Sequence, residues 1–272
     1  MLRRIYRIAL SIPLLALGGV IIRLGVLVDR QVGRDPGQGL GRRCQAVWCR
    51  VFCRLFGVRM ELDGPPVQAG PVLLVANHVS WLDILCVAAH WPVSFLGKSE
   101  IRRWPIVGAA ATALGTLFIE RGARNAAGQA VAAMGGRLGE GYPVLFFPEG
   151  TTSDGSTVLA FRPRLFQAAV DAAAPVQPLA LSYHHPDGSL CREAAFVGQE
   201  PLPRQVWRMA AVPRIQAHIQ VTPVVPGAES RTELARRSHD QVAAALGLDV
   251  PIPRRRAGAA RLGREAGSQR CP

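Results

Sequence analysis

Val72-Leu73-Leu74-Val75-Ala76-Asn77-His78-Val79-Ser80-Trp81-Leu82-Asp83-Ile84-Leu85-Cys86-Val87-Ala88-Ala89 changes character in its middle. Its first five residues are a short unbroken apolar run, as a buried strand reads, and Ile84 to Ala89 read as helix. A strand therefore ends where a helix begins. Loops at that junction, at the carboxyl ends of sheet strands, are where open α/β folds place reacting groups. His78 stands at the strand exit. Asp83 follows five residues on, about one and a half helical turns, so a helix starting near Ser80 can turn its carboxylate back toward the imidazole. A carboxylate there fixes the tautomer and stabilises the imidazolium formed when the other ring nitrogen takes a proton. The same residues carry a plainer meaning. Ser80-Trp81-Leu82-Asp83 has the S-x-x-[DE] form of a capping box, in which Asp83 only closes the first turn of a helix.

With 272 residues the chain has room for one large α/β domain plus a membrane or tail appendage. Hydrophobic residues make up 49%, mean hydropathy is +0.17 and the formal net charge is +13, which together suit a protein at an anionic membrane surface. Nucleic acid is the other acidic partner to weigh. Aromatics are only 6%, and no zinc-finger spacing, RNP-like stretch or helix-turn-helix signal is present, so no nucleic acid is expected. Lys98 is the sole lysine, so the positive charge is almost all arginine. Cys44, Cys49, Cys53, Cys86, Cys191 and Cys271 contain no C-x-x-C pair and read neither as a disulfide framework nor as a zinc site. Cys44, Cys49 and Cys53 fall in an apolar helical stretch and read as small buried hydrophobes.

In chain order, Arg3, Arg4 and Arg7 precede an apolar run from Ile8 to Ile22 that Arg23 interrupts before Leu24 to Val28. No clean small-x-small cleavage site follows, which favours an uncleaved anchor held on the cytoplasmic side by its arginines. Ala46 to Phe56 alternates apolar residues with single arginines, as an interfacial helix does, or else is a core helix. Strands are expected at 72–77, 93–97, 116–120, 143–147 and 176–183, alternating with helical stretches such as 126–138. A later strand within 214–225 and a helix opened by Ser230-Arg231-Thr232-Glu233 complete the domain. The expectation is an α/β fold, a largely parallel sheet flanked by helices, with an N-terminal membrane-associated helical segment. Residues 1–60 form the membrane-anchoring helices, 61–250 the catalytic domain and 251–272 a disordered basic tail.

Three further stretches carry weak signals singly. Gly115-Thr116-Leu117-Phe118-Ile119-Glu120-Arg121 sets an arginine just past a buried strand, where it can grip a phosphate or be ordinary surface charge. Phe146-Phe147-Pro148-Glu149-Gly150-Thr151-Thr152-Ser153-Asp154-Gly155 leaves a strand into a turn that can offer backbone N–H groups to an anion, or be a plain β-turn. Ala174-Pro175-Val176-Gln177-Pro178-Leu179-Ala180 by itself is packing.

With N-H-x-S-W-x-D and F-P-E-G-T the most specific, these four stretches across residues 70–185 resemble the glycerophospholipid and lysophospholipid acyltransferase family. The resemblance implies His78 as general base and Asp83 as its orienter. It implies Arg121, with Gly115 before it, as contact to an acceptor phosphate. Glu149, Gly150, Thr151 and Thr152 are implied in acceptor binding and Pro178 near the acyl-donor side. Family members acting on phosphate-bearing acceptors often read F-P-E-G-T-R-S, whereas Thr152 stands here where that arginine does. Arg124, Arg162 and Arg164 are nearby cations that can replace it. Ser80 is close enough to His78 to be considered as a nucleophile, though no covalent acyl-enzyme is needed.

The activity implied is transfer of a fatty acyl group from acyl-CoA or acyl carrier protein to the free hydroxyl of 1-acyl-sn-glycerol 3-phosphate, giving phosphatidic acid in phospholipid biosynthesis. Transfer to lyso-ornithine lipid is the alternative. A non-enzymatic basic protein binding anionic lipid or nucleic acid is the alternative of another class, and has no need of a paired base and carboxylate. No metal or bound cofactor is implied, the thioester being a co-substrate. The expected location is the inner (cytoplasmic) membrane, with the active site facing the cytoplasm.

Overall fold

In the computed structural model, residues 1–35, 38–120, 122, 125–198, 200–226 and 230–248 are described. Arg121, Arg124 and the tail from 251 to 272 lie outside them. Seven strands form one sheet: β1 (Val58–Asp63), β2 (Leu73–Ala76), β3 (Ser94–Lys98), β4 (Leu117–Ile119), β5 (Val144–Phe146), β6 (Val176–His184) and β7 (Ile215–Val221). Their order is β1-β7-β6-β2-β5-β3-β4. Every pairing is parallel except β6 with β7. Between the strands run helices α1 (Leu2–Gln31), α2 (Leu40–Leu55), α3 (Leu82–Ala88), α4 (Val107–Ala113), α5 (Ala126–Gly139), α6 (Gln167–Asp171), α7 (Leu202–Met209) and α8 (Arg231–Ala245).

The unbroken apolar reading of residues 72–76 follows from burial on both faces, since β2 lies mid-sheet between β5 and β6. Period-2 alternation divides its side chains. Leu74 and Ala76 pack with Cys49, Phe52, Cys53 and Phe56 around α2 and with Leu82, Cys86 and Val87 of α3. Leu73 and Val75 face Met134 and Leu138 of α5, Ala168 and Ala169 of α6, and Leu234, Ala235 and Val242 of α8. The fold is therefore a mostly parallel sheet covered by helices on both faces, and β2 ends at its centre. Ser230 caps α8, its hydroxyl oxygen accepting the Glu233 N–H at 3.3 Å.

β1 was not among the expected strands. It begins at Val58, so the sheet takes in residues on both sides of position 60. Arg59, Glu61, Leu62 and Asp63 along it are exposed or half-exposed at the sheet edge, and that charged pattern hides a strand from an apolar scan.

α1 is docked along the domain. At its start the buried Arg7 guanidinium donates to the carbonyls of Ala210, Val212 and Pro213 at 3.3, 2.6 and 3.1 Å. In the middle, Trp48 Nε1 of α2 donates to the Leu14 carbonyl at 2.8 Å. Gly18 permits this approach, because a Cβ there would lie 2.0 Å from Trp48 Nε1. At the far end the buried Asp29 carboxylate accepts the N–H groups of Leu40 and Gly41, both at 2.8 Å, and so caps α2 from another helix. The opposite face of α1 leaves Leu10, Ile12, Leu17, Val20, Leu24 and Leu27 exposed.

Candidate active site

Beyond Ala76 the ladder between β2 and β6 is continued by a side chain. Asn77 is buried, its Oδ1 accepting from Leu181 N at 2.8 Å and its Nδ2 donating to Leu181 O at 2.9 Å. The amide thus stands in for a peptide unit and holds the strand exit while the main chain turns away. Next, the His78 N–H donates to Glu149 Oε1 at 3.0 Å and its carbonyl accepts from Ser153 N at 2.8 Å. Its ring stacks on Phe147, centroids 3.9 Å apart and planes 12° from parallel. The loop carrying His78 is in this way sewn to the F-P-E-G-T turn on the neighbouring strand's exit.

His78 Nδ1 lies 2.7 Å from Asp83 Oδ2. The same oxygen accepts the N–H groups of Val79 at 2.8 Å and Ser80 at 2.9 Å, so Asp83 both orients the imidazole and caps the entry to α3. Oδ1 accepts from the Tyr183 hydroxyl at 2.5 Å. Asp83 is fully buried, so four donors replace the water its carboxylate would have. Burial, then the Asp83 charge, pushes the Tyr183 phenol well above its usual value and keeps it a donor. With Nδ1–H turned to the carboxylate, Nε2 holds the free lone pair, on a side chain left 20% exposed. Such a nitrogen can take a proton from a hydroxyl.

Ser80 is fully buried and its Oγ has no hydrogen-bond partner among the described residues. A nucleophile needs its base within reach, and nothing links this hydroxyl to His78.

Glu149 is buried, with Oε2 unpartnered among the described residues. Burial raises its carboxyl to about 7, the N–H groups of His78 and Leu159 opposing the rise and the Asp83 charge adding to it. Gly150 turns the chain at φ +72°, where a side chain is strained, and the Arg162 guanidinium lies 3.2 Å from where a Cβ would stand. Thr151 is exposed. Thr152 is half-buried, and its hydroxyl donates to the Phe196 carbonyl. Arg164 is exposed on a 3-10 turn, Pro163–Phe166.

Gly115 is not brought to this constellation. It ends α4 at φ +76°, and strand register sets it level with Ser94 and Leu73, five residues short of His78 and about 16 Å down the sheet. Motif adjacency concealed this, because Gly115 stands just before the entry of β4 rather than at its exit. Ile119, the last residue of β4, is level by register with Asn77 but three strands away, about 14 Å. Pro178 lies inside β6 opposite Val75, below the site.

Sequence reasoning missed Asn77 as an anchor, although it opens the N-H-x-S-W-x-D block. It also missed Tyr183, whose one local signal is alternation with Leu179 and Leu181 onto the face that carries α3.

Comparison with known proteins gives the family. Residues 59–182 match the family model described as Acyltransferase. The lyso-ornithine lipid O-acyltransferase of Pseudomonas aeruginosa is 36% identical over 260 residues, 94% of this chain and 98% of that one. The 1-acyl-sn-glycerol-3-phosphate acyltransferase of Neisseria meningitidis serogroup B is 34% identical over 198 residues, 72% of this chain and 77% of that one. Among solved structures, the 1-acyl-sn-glycerophosphate acyltransferase PlsC of Thermotoga maritima shares the fold, with a TM-score of 0.64 at 20% identity over 90% of this chain and 94% of that one. An end-to-end relative and a family model spanning the His78 block, the F-P-E-G-T turn and most of β6 make this chain a member of the acyltransferase family and an acyltransferase enzyme.

Proposed function

We propose that the protein transfers a fatty acyl group from a thioester, acyl-CoA or acyl carrier protein, to the free hydroxyl of a lysolipid, with lyso-ornithine lipid as the acceptor. The observation that carries the chemistry is the 2.7 Å contact of His78 Nδ1 with a buried Asp83, which leaves Nε2 as the base. Nε2 takes the hydroxyl proton as the acceptor oxygen attacks the thioester carbonyl. The tetrahedral adduct then expels the thiolate, which takes the proton back from the imidazolium. The ester C–O bond forms, the C–S bond breaks and no acyl-enzyme intervenes. Asp83 stabilises the transient imidazolium, and Glu149 with Ser153 keeps the loop in place.

The sequence alone put 1-acyl-sn-glycerol 3-phosphate first, and two observations favour the other acceptor in this proposal. The likeness to the Pseudomonas aeruginosa lyso-ornithine lipid enzyme runs the length of both chains. The hydroxyl of Thr152, where an arginine would favour a phosphate, is bonded to the Phe196 carbonyl. The phosphate acceptor stays as second reading because Arg162 brings a guanidinium to the Gly150 turn. Purified enzyme offered both acceptors with one labelled acyl donor decides between them. Preference for lyso-ornithine lipid is expected, and a strong preference for the phosphate acceptor overturns it.

For location, we infer attachment to one leaflet of the cytoplasmic membrane. α1 is apolar enough to cross a bilayer, yet it is bonded to the domain at both ends, which supports a helix lying in the plane with its exposed face in lipid.

A further inference from the structure

Away from His78, the turn that follows β6 gathers three side chains of metal-ligating type. An antiparallel bridge joins His184 to Leu190, His185 N donates to the Ser189 carbonyl at 2.8 Å, and Cys191 N donates to the Tyr183 carbonyl at 2.9 Å. This tight return places one ligand atom each of His185, Cys191 and Glu193 within 4.8 Å of one another. His185 Nε2 lies 3.2 Å and Cys191 Sγ 3.7 Å from Glu193 Oε2. The Gln205 amide donates to the carbonyls of Glu193 and Ala194 at 3.3 and 3.1 Å and holds that segment from α7.

These edges can be compared with a metal polyhedron. Zinc bonds of about 2.0–2.1 Å to nitrogen and oxygen and about 2.3 Å to sulfur give tetrahedral edges of about 3.3 Å for N···O and about 3.5 Å for S···O. Both observed edges match to about 0.2 Å. The donor set also discriminates: nitrogen, sulfur and oxygen together suit zinc, whereas magnesium and calcium take oxygen alone. Cys191 is buried while His185 and Glu193 reach the surface, so a fourth position is open to water.

We propose that His185, Cys191 and Glu193 form a Zn²⁺ site. The spacing H-x5-C-x-E, with a turn between the first two ligands, matches none of the paired-cysteine patterns by which such sites are found in sequence. Its place explains what the ion does. Phe196, three residues past Glu193, donates its N–H to the Val79 carbonyl at 2.9 Å and accepts from Thr152. Arg192 pairs with Asp154 at 3.1 Å. A metal joining residue 185 to residue 193 therefore clamps the segment that backs the His78 loop and the F-P-E-G-T turn, without touching the reacting atoms.

The test uses full-length protein in detergent, stripped with chelator, desalted, and titrated with Zn²⁺ against a chromophoric chelator, with Co²⁺ as the spectroscopic probe. One equivalent is expected, with thiolate-to-cobalt charge transfer and the strong visible bands of tetrahedral Co²⁺. Cys191→Ser should abolish the charge-transfer band, and Glu193→Gln, at a half-exposed position where misfolding is no concern, should weaken Zn²⁺ binding at least about 10-fold. Cys271→Ser should change neither. Zn²⁺ should raise the thermal midpoint of the unsubstituted protein and not that of Cys191→Ser. Substoichiometric binding, or binding that survives Cys191→Ser and Glu193→Gln, overturns the site and leaves a hydrogen-bonded triad. Acyl transfer is not the readout, so failure here does not bear on the reaction.

Discussion

At His78 and Asp83 a single contact separates a base from an ordinary imidazole, and each partner can be removed. His78→Ala should lower acyl transfer by at least about 10²- to 10⁴-fold, the usual worth of general-base catalysis, without loosening membrane attachment. Asp83→Asn should be severe as well, because an amide cannot accept from His78, Val79, Ser80 and Tyr183 as the carboxylate does. Near-normal turnover by His78→Ala in isolated membranes would remove the proposed mechanism. The spacing of these residues offered two readings, an oriented base and a helix cap, and in the folded chain Oδ2 makes both the imidazole contact and the cap bonds. Tyr183 was illegible because it lies 100 residues away, and only strand register brings it to Oδ1. Tyr183→Phe orphans that oxygen in a dry interior, which should cost about 1–3 kcal/mol of stability and lower kcat with little change in KM. Denaturant titration and steady-state kinetics measure the two separately, and an unchanged kcat would make the tyrosine mere packing. Glu149 governs a different observable. Its folded carboxyl titrates near 7, above its ordinary 4.5, so its contribution to stability is fully present below about pH 4.5 and is lost as pH rises through 7. The loss is on the order of 3 kcal/mol. Glu149→Gln should flatten the fall in denaturant midpoint between pH 5 and 8, and an equally steep fall in the variant would assign the slope to another group.

Among elements, the strands of the buried sheet were legible because each is a short apolar run between breakers, whereas the charged edge strand β1 was not. The level of a residue along the sheet is equally hidden from the chain's order: Gly115 shares a motif with Arg121, yet register sets it level with Leu73, well below His78. α1 was legible as an apolar helix, but Arg7 read as a leader charge when it is a buried donor to three carbonyls. Salt weakens charge attachment and leaves apolar burial in place, so the full-length protein should stay on membranes through high-salt and carbonate washing and leave only with detergent. Release of the intact chain by salt alone would sink the lipid-embedded reading of the α1 face.

For the molecule as a whole, the candidate site lies where the central strands β2 and β5 of a mostly parallel sheet end at their carboxyl side. The docking of Arg7 onto Ala210, Val212 and Pro213 also sets an order in time. These partners are more than 200 residues apart in the chain. At about 5–20 residues per second of synthesis, α1 leaves the ribosome roughly 10 to 40 seconds before the carbonyls that will receive its guanidinium exist. Throughout that interval the Arg7 guanidinium lacks those acceptors. The rest of the chain can therefore close onto α1 only after the stretch that follows α7 has been made.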